Sequence, residues 1–189
     1  PVEIAREQGG QMIFLPTDLT VDQDLEAAVA EAAKLGTIKY LVNVAGIQHI
    51  DYIEDFPMER FDFMHRLMVR APFYLSRMCI PRMKASGDGR GVVANMASAH
   101  AHISTLAKSS YNITKFALRA LSQSISAEGG GKVRSFTVST AFVKTPLTLN
   151  QIPAQAAKRG ISPEEVVEKV MCGFTRVKEM MTPVEVANV

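Results

Sequence analysis

Four short apolar runs, each followed by a stretch with apolar residues at helical spacing, restrict the fold of this chain more than any other feature. The runs are MIFL (12–15), YLVNV (40–44), GVVANMA (91–97) and VRSFTVST (133–140). The segment 21–35 carries Leu25, Ala28, Val29 and Ala32 on one face, with acids in its first turn and Gly36 past its end. A long helix is expected from Met58 to about Met83, interrupted or bent near Pro72 and Pro81. The segment 109–128 reads as an amphipathic helix capped by Ser109 or Ser110 and stopped by Gly129–Gly131. Helical material fills most of 146–189, with 162–170 starting on Ser162 and Pro163.

This order predicts a single α/β domain over 1–189, a doubly wound parallel sheet with helices on both faces. Ligands of such sheets bind beyond the carboxyl ends of the strands. That rule selects Asp18, the segment 43–48, the segment 98–102 and the segment 140–145.

Composition narrows the partners. A formal net charge of +2, with acids and bases interspersed, gives no reason to expect nucleic acid or an anionic membrane. No apolar run approaches the ~18 residues of a membrane span. The start PVEIAREQGG reads as polar and helix-like, so no secretory signal is expected from it. Cys79 and Cys172 stand alone in apolar surroundings and read as buried free thiols, which fits a cytoplasmic protein. The chain opens at Pro1 and stops at Val189 in a helical pattern, so both ends of a longer polypeptide are expected to be missing.

The strongest chemical signal is Tyr111 with Lys115 four residues on, and Ser98 thirteen residues before the tyrosine. Spacing of four puts both side chains on one helix face. A phenol near pKa ~10 is a poor base at neutral pH, and a neighbouring ammonium is expected to pull it down. Ser98, at the end of a strand, could hold the oxygen that gains or loses the proton. Alone, a Tyr-x-x-x-Lys pair is more often plain helix surface; its position after a strand ending in serine reverses that reading. His100 and His102 lack a third ligand at suitable spacing, so no metal is expected. Asn112-Ile113-Thr114 matches a glycosylation acceptor but lies inside the candidate catalytic helix. The methionines at 58, 64, 68, 78 and 83 read as core or subunit contact.

Asp18 after one strand, Asn43-x-Ala45-Gly46 after the next, Ser98, Tyr111-x-x-x-Lys115 and Thr145-Pro146 together resemble the short-chain dehydrogenase/reductase family, in its order and spacing. Within it, Gly46-Ile47-Gln48-His49, Ala97-Ser98-Ala99-His100, Lys108, Thr145-Pro146-Leu147 and Gln151-Ile152 are most similar to the 3-hydroxybutyrate dehydrogenases. The resemblance implies a Rossmann-like sheet, here without its first strand–helix–strand portion and its last strand. It implies NAD-linked hydride transfer on a small 3-hydroxy or keto acid and a homotetramer built through 58–83 and 109–128. Ser98, Tyr111 and Lys115 would be catalytic. Gln48, His100, Lys108 and Gln151 would hold the substrate carboxylate, which needs a cation and several donors. Asp18, Leu19, Asn43, Ala45, Gly46 and Thr145, with Tyr111 and Lys115, would line the cofactor.

Some features depart from the family. The glycine-rich turn that cradles a pyrophosphate is absent, because Gly87–Gly91 precedes a strand and opens no helix. The segment that selects NAD over NADP has no counterpart, so NAD rests on the resemblance. Met68 stands where the family has an asparagine of its proton relay, Val44 where N-N-A-G has its second asparagine, and Thr140-Ala141 where Pro-Gly is usual. Two alternatives stay open: an alcohol of another kind, such as a sugar or a 3-oxoacyl thioester, or a weakly active or non-catalytic scaffold.

Overall fold

In the computed structural model of the chain, the residues described are 7, 9–173 and 175–188. The expected polar helical start falls mostly outside them. Among the described residues three parallel strands form the sheet: β1 (Tyr40–Asn43), β2 (Gly91–Met96) and β3 (Val133–Val138), in the order β1-β2-β3. Leu41 pairs with Val93, and Val93 with Ser135. β1 and β2 are joined through α2 (Met58–His65) and α3 (Ala71–Ala85), and β2 and β3 through α4 (Ser109–Glu128). α1 (Asp22–Leu35) precedes β1. Such crossovers are what parallel neighbours require.

The side chains on one face of the sheet make the core. Leu41, Val93 and Val133 pack with Val29 of α1, Cys79 and Met83 of α3, and Ile125 of α4. A polar chain of three continues that face. Asn43 Nδ2 donates to Asn95 Oδ1 at 2.8 Å, and Asn95 Nδ2 donates to Ser122 Oγ at 2.8 Å, tying both strands to α4. The opposite face differs from expectation. Tyr40 is 75% exposed, Val42 60% and Phe136 50%, so among the described residues the helices clothe one side only.

One further reading is corrected, and the expected interruption of the long helix is found next to Pro72. Residues 12–15 form no strand and are exposed; their backbone finds no ladder partner, since the described sheet ends at β1. The long helix is interrupted at Arg66–Arg70, which winds as a π turn, with the Ala71 amide donating to the Arg66 carbonyl. Pro72 explains the place: it has no N–H to give Met68, and its ring crowds that carbonyl. Pro81 lies within α3 without ending it.

α4 starts at Ser109 with no side-chain cap, and the Ser110 hydroxyl is buried without a partner, so neither serine caps it. The other start is as expected: Ser162 forms a capping box with Glu165. After β3 come α5 (Pro146–Leu149), α6 (Ile152–Arg159), α7 (Pro163–Glu165) running into a π turn at Val166–Met171, and α8 (Pro183–Ala187). α6 and that π turn build a second small core from Ala156, Val166, Met171 and Cys172.

Candidate active site

The carboxyl end of β2 delivers Ser98 to the start of α4. Ser98 is extended, and its Oγ accepts from the His100 amide at 3.2 Å, capping a 3₁₀ turn at Ala99–Ala101. Tyr111 lies in the first turn of α4 and Lys115 one turn on. Lys115 is only 3% exposed, and its Nζ donates to the Met96 carbonyl at 2.8 Å. The ammonium stands 5.3 Å from the centre of the Tyr111 ring.

The electrostatics correct the expected direction for the tyrosine. Burial pushes the Tyr111 phenol above its ordinary value, and the Ser98 hydroxyl, hydrogen-bonded to it, pulls down by less. Lys115 is engaged with the strand end and lies against the ring, and burial lowers its own pKa to about 8.

Gln48, His100, Lys108 and Gln151 all line one cavity of about 410 Å³, with Ser98 and Tyr111 also in its wall. His100 Nδ1 lies 3.1 Å from Ser98 Oγ and Nε2 2.9 Å from Thr105 Oγ1. Burial first, then the charges of Lys108 and Lys115, push the imidazole to about 4, so the ring is neutral at physiological pH. Lys108 is 2% exposed, and its Nζ stands 5.0 Å above the Phe142 ring. Burial and the nearby Arg159 bring the Lys108 ammonium down to about 8. Ala107 before it has φ 59°, a left-handed backbone that costs a residue with a Cβ about 1 kcal/mol. Gln48 Oε1 is buried with no partner among the described residues, while Gln151 accepts from Gln155 Nε2 at 3.0 Å.

A second cavity of about 400 Å³ meets the first along Ser98 and Tyr111. Gly46, Lys115 and Thr145 line it, and Thr145 Oγ1 accepts from the Thr148 amide at 3.3 Å. A Cβ on Gly46 would stand 3.4 Å from Met68 Sδ and 3.7 Å from Lys115 Nζ. Met68 is fully buried at that floor. Glycine leaves room there, so these residues fit the flat nicotinamide end of a dinucleotide. Asp18, Leu19, Asn43 and Ala45 lie outside both cavities. The Asp18 carboxylate is occupied by the Thr20 amide and hydroxyl, which hold its pKa below the usual range.

Arg159 is a charged cavity-lining residue that sequence reasoning missed. A signal existed: Gln151, Gln155 and Arg159 follow at spacings of four along one helix face.

A family model described as short chain dehydrogenase matches residues 2–156. A D-beta-hydroxybutyrate dehydrogenase of Rhizobium meliloti is 35% identical over 98% of this chain and 72% of its own length. Among solved structures, a 7 alpha-hydroxysteroid dehydrogenase complexed with NADH and 7-oxo glycochenodeoxycholic acid superposes with a TM-score of 0.80 at 28% identity, over 99% of this chain and 69% of that one. A gluconate 5-dehydrogenase from Burkholderia cenocepacia, in complex with NADP and tartrate, shares the fold with a TM-score of 0.82 at 21% identity, over 99% of this chain and 71% of that one.

Proposed function

The chain belongs to the short-chain dehydrogenase family, and from that premise we propose that it oxidises a small 3-hydroxy acid of the 3-hydroxybutyrate type with NAD as partner. The observation that carries this reading is the set of Gln48, His100, Lys108 and Gln151 around one cavity whose wall includes Ser98 and Tyr111. The similarity to a D-beta-hydroxybutyrate dehydrogenase supports it.

NAD, held along Gly46, Tyr111, Lys115 and Thr145, would accept the hydride. Tyr111 Oη, once it has shed its own proton to solvent, takes the hydroxyl proton of the substrate while Ser98 Oγ holds the same oxygen. A neutral His100 ring has one donor and one acceptor nitrogen, so it can fix the Ser98 hydroxyl without adding charge. Lys108 attracts the carboxylate, and Gln48 and Gln151 orient it. A cytoplasmic homotetramer completes the proposal. Assaying NAD-dependent oxidation of 3-hydroxybutyrate beside sugar alcohols and a 3-hydroxyacyl thioester tests it; preference for either alternative would replace the acid.

The pH profile should carry the mark of Lys108. With its pKa near 8, the ammonium is present below that pH and lost above it. KM for the acid should therefore climb as pH rises through about 8. Lys108→Ala should raise KM about 10- to 100-fold at pH 7, the size of one charge-assisted hydrogen bond, and flatten the profile. An unchanged KM would take Lys108 out of the carboxylate site.

Met68 favours a second reading, a member with feeble chemistry. Its thioether, buried beside Gly46, is only a weak acceptor and cannot order water as an amide would. If the chain is an enzyme with a hindered proton path, Met68→Asn should raise kcat about tenfold with KM unchanged. A scaffold would show no turnover in either form.

A further inference from the structure

The acid cavity carries more positive charge than one carboxylate can balance. Lys108 and Arg159 both line it, and among the described residues no aspartate or glutamate does. Lys169 also reaches the wall, but it is paired with Glu165 at 2.5 Å. Lys158, the neighbour of Arg159 in sequence, pairs with Asp51 at 2.5 Å. Arg159 has no ion pair among the described residues. Its Nη2 donates only to neutral groups, the Leu106 carbonyl at 3.3 Å and Gln155 Oε1 at 3.4 Å. Its Nε is buried and has no hydrogen-bond partner among the described residues. Arginine cannot shed its proton to relieve such a position, so a buried donor and a fixed charge both await an acceptor.

Size argues in the same direction. A four-carbon hydroxy acid fills the space of four or five waters, roughly 140 Å³ at ~30 Å³ each. The cavity measures about 410 Å³. We propose that this cavity takes a hydroxy acid with a second carboxylate, a five- or six-carbon hydroxy dicarboxylate, Lys108 holding one carboxylate and Arg159 the other. This rests on the hydroxy-acid reading above and narrows its substrate class. Arg159 also presents the planar fork that suits a carboxylate held by two parallel hydrogen bonds.

The test is calorimetric titration of the full chain with two unreactive probes, glutarate and butyrate. Glutarate should bind about tenfold or more tightly than butyrate. Arg159→Met, which keeps most of the bulk, should reduce glutarate to the level of butyrate and leave butyrate within about twofold. Arg159→Lys should restore part of the preference, which separates lost charge from a disturbed fold. Equal affinities in the unaltered chain would overturn the proposal and leave the monocarboxylate reading in place. So would an Arg159→Met variant that weakens both probes alike, since the arginine would then share a single carboxylate with Lys108. Failure of both probes to bind would remove the hydroxy-acid reading itself, and this extension with it.

Discussion

Tyr111→Phe should cut turnover by roughly three orders of magnitude while leaving acid binding within about twofold of its original value. The substitution removes one oxygen from a side chain that is otherwise held by packing, so shape is kept and proton transfer is lost. Burial makes the effect more telling. The phenol is held above its ordinary pKa, so little phenolate exists at neutral pH without help, and no other titratable group shares the wall between the two cavities. His100 cannot substitute, because its proton affinity is low and its ring is already engaged with Ser98 and Thr105. The four residues assigned to the carboxylate stay in place in this variant. Stopped assays of kcat beside calorimetry of butyrate would check both halves. Full turnover by the variant would overturn the mechanism; lost butyrate binding would show that Tyr111 also shapes the acid cavity.

Gly129→Ala should have the largest effect on stability. Gly129 ends α4 with a helical φ of −68°, so backbone freedom is not the issue. Space is. A Cβ there would lie 1.9 Å from the Val133 carbonyl oxygen and 2.9 Å from that of Ile125. The clash falls on backbone that cannot swing aside as a side chain can. Gly129 also accepts from the amides of Lys132 and Val133, at 3.1 and 3.2 Å, and so sets the turn that feeds β3 into the sheet. Displacing it moves Val133, a core residue paired with Gly91 of β2. A cost of about 3 kcal/mol is expected, a fall of roughly 6–12 °C in Tm for a chain of this size. Gly130→Ala is the control. Its φ of 61° makes alanine strained, but nothing lies within 4 Å, so about 1 kcal/mol is expected. Melting of Gly129→Ala within 2 °C of the parent would mean that the turn relaxes freely.

The candidate site was legible because its spacings coincide with local geometry. Tyr111 and Lys115 share a helix face at any rotation of that helix, and Ser98 follows a strand whose apolar run is unmistakable. Gln48, His100, Lys108 and Gln151 were selected by resemblance, and their meeting in one cavity follows from tertiary structure that no local spacing encodes. What stayed hidden has physical causes. The run at 12–15 has strand composition, yet a strand exists only where another backbone completes its ladder. The direction of the Tyr111 shift depends on burial, and burial is not visible in a motif. Arg159 was passed over because arginine at a helix end is ordinarily solvated; its buried Nε is a property of the packing of α6.

The π turn at Arg66–Arg70 has a consequence for chain length. Such a turn holds one residue more than an α-helix would over the same rise, and it offsets the two halves of the helix by about 100°. Met64 before the turn, Met68 within it, and Ala71, Cys79 and Met83 after it are all buried. Deleting a single residue here would restore uninterrupted α-helical winding and leave both halves facing as they do, because the extra residue is what the offset absorbs. Homologous chains can therefore drop one residue at this point and keep the same faces greasy, whereas a loss elsewhere in the helix would swing everything beyond it by about 100°.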